Sequence, residues 1–178
     1  MLVLGAVAVA AIAFTGSAAA DPDRSTAGQD TTLRMKVDGR DLEFFGGDTV
    51  GAGDKLTIVN KTDPMEVGPH TFTLIKPSLM DKKKERKACE RFESRVCQNI
   101  LEAHEVGPPP DFPVGKPNVN VGENGWDVEF TNKKTGDSWF TQEKGDKEVR
   151  RVRAEKGDTL GYFCIVHPFM RGKLEVTR

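Results

Sequence analysis

Three histidines are all that the 178 residues contain, beside three cysteines and one tyrosine. That is too few to build a histidine-rich polynuclear metal cluster, so oxidase chemistry of that kind is excluded for the chain alone. Charge of one sign is also missing: 26 Lys and Arg face 27 Asp and Glu, for a formal net charge of −1. Without a basic field, neither nucleic acid nor an acidic membrane is indicated as a partner. No apolar run approaches the about 20 residues that cross a bilayer. No internal repeat is present. What remains is the composition of a soluble, turn-rich chain of one domain, 30% charged, with 18 Gly and 10 Pro.

The longest apolar run opens the chain, "MLVLGAVAVAAIAF", and is followed by "TGSAAADPDRS". An apolar core before Ala18-Ala19-Ala20 has the form of an export signal with a small-residue cleavage site. No Lys or Arg precedes the core, which leaves retention as a weak anchor, or a start further upstream, as the other readings. Residues 1–20 are therefore expected to be a signal peptide and 21–30 a flexible polar linker. The location expected is periplasmic, extracellular or cell-surface associated, with membrane attachment only if the segment is retained. Export implies an oxidising compartment, where an odd number of cysteines leaves one thiol without a partner.

From residue 31 onward, short strands alternate with turn signals. "TTLRMKVDG" and "RDLEFFGG" flank Asp38-Gly39, "GDKLTIVNKTD" alternates from Leu56 to Val59, and "PHTFTLI" alternates again. "KEVRRVRAEKGD", "TLGYFCIV" and "GKLEVTR" supply three more strands, two of them joined by Lys156-Gly157-Asp158. Such a series predicts an all-β antiparallel sandwich or barrel. Between Lys76 and about Asn120 the period changes. Ala88, Phe92, Val96 and Ile100 recur every four residues, a helical stripe with Ser78 as its candidate N-cap, until "GPPPDFPVGKP" breaks it. Cys89 and Cys97 lie on that stripe. On one unbroken helix they would be about 12 Å apart, and a disulfide needs Cα atoms within about 7 Å. A bridge therefore requires a bend near Phe92–Ser94; the alternative is two buried thiols.

The thiol left over is Cys164, in "GYFCIVHPFMRGKLEV". His167 follows by three residues and Met170 by three more. Thiolate, imidazole and thioether are soft and borderline donors that suit copper in both oxidation states. A blue-copper site takes two histidines and a cysteine in a plane with a weak axial methionine. The second histidine must be His70, which opens a strand after "EVGP", or His104, which follows the helical stripe beside glutamates in what reads as a solvated surface context.

This loop resembles that of the cupredoxin family, in the short Cys-x-x-His-x-x-Met form of amicyanin and pseudoazurin. "GDKLTIVNKTD" followed by "GPHTF" is similar to the family's first-ligand region. The resemblance covers about residues 31–76 and 126–178. It implies a cupredoxin-like Greek-key β-sandwich over residues 31–178, interrupted by a partly helical insertion at about 77–125. It implies one type 1 copper ion held by His70, Cys164, His167 and Met170, with Asn60 tying the two ligand loops together by hydrogen bonds. Ile165 stands where the family often has Ser or Thr, so one hydrogen bond at the loop is expected to be missing.

The function implied is electron carriage rather than catalysis, by a monomer whose protein redox partners dock near His167, Pro168 and Phe169. The alternative is extracytoplasmic copper handling. Against it, Met35, Met65, Met80 and Met170 are scattered rather than clustered. The insertion is expected to pack on one flank with Phe92, Val96, Ile100 and Leu101 inward and Lys82–Lys87 outward, its cysteines away from the ligand loop.

Overall fold

The computed structural model describes residues 30–107, 117–122, 125–127 and 135–178. The segments read as signal peptide and linker lie outside the described residues, apart from Asp30. Two sheets face each other. One has the order β2 (Asp41–Phe45), β1 (Thr31–Asp38), β4 (Lys55–Asn60), β8 (Lys147–Arg151). The other has the order β3 (Thr49–Gly51), β10 (Arg171–Thr177), β9 (Thr159–Phe163), β5 (His70–Ile75), β7 (Thr135–Thr141), β6 (Asn120–Val121). β1 and β2 form a tight hairpin closing at Asp38 and Asp41, with Gly39 at φ 63°, the left-handed geometry such turns require.

The sheets are mixed rather than purely antiparallel. β1 runs parallel to β4, and β10 parallel to β3. Crossovers between the two sheets create both pairings, and alternation along one strand does not report the direction of its neighbour.

Inward residues of both sheets form the main core. Leu33, Met35, Leu56 and Ile58 come from one sheet; Phe72, Leu74, Leu160, Tyr162 and Leu174 come from the other. Trp126 fills its centre, edge-on to Phe72, and its indole N–H donates to the Leu56 carbonyl at 3.1 Å.

A second core lies on the outer face of the larger sheet. Because side chains alternate along a strand, Ile75, Phe140 and Phe163 point away from the main core. They meet Met80, Cys89, Val96, Cys97, Ile100 and Leu101 of the insertion. β5 is consequently buried at every position, so the threonines of "PHTFTLI" are covered rather than solvated.

The insertion folds as α2 (Pro77–Met80), α3 (Lys83–Glu90) and α4 (Arg95–Ala103), after the short α1 (Pro64–Val67) that precedes β5. The stripe is not one helix. Phe92 takes φ 56°, and Ser94, not Ser78, is the cap, its hydroxyl accepting from the Val96 N–H at 3.2 Å. The break brings Cys89 and Cys97 to a Cα separation of 5.6 Å, and they are joined by a disulfide. Val96, Ile100 and Leu101 face inward, Phe92 is partly buried, and Lys82, Lys83, Lys84 and Lys87 are exposed. The insertion also contributes β6 to the sheet edge, so it belongs to the sandwich rather than merely leaning on it. No helix among the described residues is long and apolar enough to cross a membrane.

Candidate metal centre

β5 and β9 are antiparallel neighbours, with Thr73 opposite Phe163. Their paired ends therefore bring His70, the first residue of β5, beside Cys164, the residue after β9. The chain then turns tightly. The Met170 N–H donates to the His167 carbonyl at 2.8 Å, and the Cys164 N–H donates to the Met170 carbonyl at 2.9 Å. This double closure holds His167 against the thiol and starts β10.

Cys164 Sγ lies 3.9 Å from His70 Nδ1 and 3.7 Å from His167 Nδ1. The three donor atoms all fall within 4.8 Å of one another. Bonds of about 2.3 Å to sulfur and 2.0 Å to nitrogen, spread trigonally, would place sulfur about 3.7 Å from each nitrogen. The observed spacings fit a single soft or borderline metal ion that these three atoms would hold. Met170 is buried in the main core with Cys164.

The tautomer of His70 is settled by its neighbours. The Thr62 N–H donates to Asn60 Oδ1 at 2.9 Å, and the Thr62 hydroxyl donates to the same oxygen at 2.6 Å. That hydroxyl has spent its one hydrogen, so at 2.8 Å it accepts from His70 Nε2–H. Nδ1 is left as a bare lone pair facing the sulfur, the arrangement that partners of metal-binding histidines enforce.

The electrostatics favour ligands over bases. Burial, reinforced by the neighbouring His167, lowers the pKa of His70 to about 3. Burial also lowers that of His167, against a backbone hydrogen bond to Val67. Both imidazoles therefore stay neutral, the form a metal requires. Burial pushes the Cys164 thiol up, opposed by hydrogen bonds that favour the thiolate, among them the Thr71 N–H donated to Sγ at 3.3 Å. A cation in the site would reverse that balance and hold the sulfur deprotonated.

His70, Cys164 and His167 thus converge, with Met170 in the same core. Asn60 is fully buried, but it does not tie the loops together directly: its Nδ2 donates to Thr141 at 3.3 Å and its Oδ1 serves Thr62. The tie is Thr71, which the sequence reading missed. Its N–H binds Sγ, and its hydroxyl accepts from the Ile165 N–H at 2.8 Å. Ile165 contributes its backbone N–H to this tie, while its side chain offers no hydrogen bond. The signal for Thr71 was its place immediately after His70. His104 is not a surface residue; it is fully buried against Phe140, with ring centroids 5.7 Å apart. The cysteines of the insertion are not remote either, since Cys89 borders a small void together with Phe163 and Pro168.

No protein-family model matches the chain, and no curated protein matches it. Solved structures similar to it include auracyanin B, at 18% identity and TM-score 0.45, covering 84% of this chain and 88% of that one. Auracyanin A, a blue copper protein of the green thermophilic photosynthetic bacterium Chloroflexus aurantiacus, is 19% identical at TM-score 0.43, covering 84% and 98%. A copper-containing nitrite reductase of Thermus scotoductus is 15% identical at TM-score 0.36, covering 84% of this chain and 23% of that one. Likenesses this distant carry no part of the assignment, which rests on the donors. Sulfur between two Nδ1 atoms, a methionine closing the same loop and a double-sheet frame that presents them are the features of a cupredoxin-like sandwich with a single type 1 copper site.

Proposed function

We propose that this chain is an exported cupredoxin that carries single electrons between protein partners. The observation that supports it best is the burial of a lone thiol between two neutral imidazoles whose lone pairs already face it. Copper, when bound, would supply a one-electron couple. The chain's part is to hold the donors so that neither oxidation state can impose its own geometry. His70 is fixed through Thr62 and Asn60, Cys164 through Thr71, and His167 through the turn that Met170 closes. Met170, buried in the same core, would offer a thioether as a further, weaker donor.

The docking face lies at His167, the half-buried member of the set. Phe169 stands edge-on to its ring at 5.8 Å and is 55% exposed. Met65, 92% exposed, projects from α1, whose Val67 backbone bonds to His167. Pro168 is buried on the insertion side, so the apolar collar consists of Phe169 and Met65 rather than Pro168. A small apolar patch beside a redox group suits brief encounters.

The experiment is visible spectroscopy and voltammetry of the copper-loaded chain. We expect a sulfur-to-copper charge-transfer band, lost in Cys164→Ser and in His70→Ala, with a reversible couple. Ready exchange of Cu(I) with an external chelator and no reversible couple would instead support copper handling. A band that persists in Cys164→Ser would falsify the site.

A further inference from the structure

Lysine is concentrated on one flank of a chain whose net charge is −1. Lys82 precedes α3, and Lys87 lies four residues from Lys83 and three from Lys84, so the last three share one side of the helix. All four are exposed, and no ion pair among the described residues holds them. Glu90 shares that side, which leaves four lysines against one glutamate. Other carboxylates of the region are taken. Asp81 pairs with Lys173 at 3.0 Å, Glu93 pairs with Arg91 at 2.8 Å, and Glu85 accepts from the Ser94 hydroxyl. The helix gains nothing from these lysines. Like charges three and four residues apart disfavour it, and cations in its first turn oppose its dipole. Residues that break a local rule at a cost tend to serve function.

The inner side of α3 fixes where this flank lies. Glu85, Arg86 and Cys89 border a small void with Phe163 and Pro168. Phe163 precedes Cys164 and Pro168 follows His167, so α3 lies against the ligand loop. The sheet agrees. Arg171 and Lys173 are both exposed and, two residues apart on β10, they share its outer face. Lys173 is held by Asp81, the residue before Lys82, and Arg171 stands two residues after Phe169. Arg171 and the α3 lysines therefore border the exposed Phe169 on the insertion side. Beside Met65, α1 carries one exposed carboxylate, Glu66.

We propose that this flank steers an acidic protein partner onto the docking face. Carboxylates of the partner meet Lys82, Lys83, Lys84, Lys87 and Arg171 while its redox centre meets the edge of His167. The inference rests on the electron-carrier reading of the copper site. At ordinary salt, charges act over about 8–10 Å, so the lysines attract an approaching protein before the surfaces touch. Flexible, strongly hydrated ammonium groups raise the rate of encounter more than its duration. That suits a complex that must part after one electron. An anionic lipid surface would meet the same charges, but it would cover the His167 edge and keep a partner from it.

The test compares three copper-loaded full chains: wild type, Lys84→Glu/Lys87→Glu and Lys55→Glu/Lys156→Glu. The two variants have the same net charge. Lys55 and Lys156 are exposed at the opposite pole, where β4 opens and where the turn before β9 lies. The probe is a hexaglutamate peptide carrying ferrocenium, with a hexalysine counterpart. Ferrocenium takes one electron from Cu(I) and becomes ferrocene, with no proton moved. Stopped-flow at the charge-transfer band reads the second-order rate as Cu(II) forms. With the glutamate peptide at low salt, Lys84→Glu/Lys87→Glu should be about tenfold slower than wild type, and the gap should close as salt rises. Lys55→Glu/Lys156→Glu should stay near wild type. With the lysine peptide, Lys84→Glu/Lys87→Glu should be the fastest of the three. A blue wild type no faster than Lys84→Glu/Lys87→Glu with the glutamate peptide overturns this inference alone. Equal slowing by both variants also overturns it, since net charge would then be the cause. Sedimentation with vesicles of phosphatidylserine and phosphatidylcholine tests the lipid surface. Vesicle binding that Lys84→Glu/Lys87→Glu loses, with peptide rates equal, overturns the acidic protein in favour of lipid. A wild type without the band, or oxidised by neither peptide, overturns the carrier reading itself.

Discussion

Removing the Cys89–Cys97 bridge should weaken the fold by an amount the structure sets. The bridge spans eight positions, a closed loop of nine residues. Chain-entropy arguments give about 2.6 kcal/mol for a loop of that length. For a domain of this size, 1 kcal/mol moves the melting midpoint by about 2–4 °C, so a fall of about 5–10 °C is expected. The bridge also staples two helices whose inward residues cover Phe163 and Ile165, on either side of Cys164. Its loss should therefore reach the ligand loop and speed the release of copper. The measurement is thermal melting of the reduced wild type and of the Cys89→Ala/Cys97→Ala variant, each copper-free and loaded, followed by circular dichroism. Reduction separates the bridge from the lost packing of the sulfurs, because the reduced wild type keeps both. A shift below about 2 °C on reduction would refute the stapling argument, and identical copper-release rates would show that the second core does not steady the loop.

Three further outcomes are expected. Met170→Leu should keep copper and raise the reduction potential, since a weak axial sulfur that favours Cu(II) has been removed; loss of the metal would mean that the thioether holds it outright. The copper-free protein should lose stability in acid. His70 stays neutral in the fold down to a pKa of about 3, whereas in the unfolded chain it takes a proton near pH 6.5. Its stabilising contribution is complete above about 6.5 and falls by up to about 1.4 kcal/mol per pH unit toward 3. Urea melts between pH 7 and 4 should show that slope, and a flat profile would contradict the burial of His70. Gly161→Ala should destabilise by about 1–3 kcal/mol through overpacking, because an added Cβ would lie 2.7 Å from the Ile75 carbonyl and 3.3 Å from Pro77; a denaturation midpoint equal to wild type would show that β9 and α2 can separate there at no cost.

Much of the centre could be read from the sequence because its chemistry is local. Cys164, His167 and Met170 fall within one seven-residue turn, and a turn that short brings its ends together whatever surrounds it. The strands announced themselves similarly, since alternation in "KLTIVN" reflects one buried face, a property of the segment itself. The structure alone decided what depends on distant packing. Nothing within "LEAHEV" shows that His104 is covered, because the cover comes from β7, more than thirty residues on. Thr71 and Thr73 look like the wet face of a strand until the insertion closes over them. The disulfide needed the turn at Phe92, a backbone conformation that helical periodicity does not record. The parallel pairings of β1 with β4 and β3 with β10 required both sheets to exist. Donor identity was a matter of spacing along the chain; the hydrogen bonds from Thr71 that steady the thiol loop join residues 93 and 94 positions apart, and only folding brings them within reach.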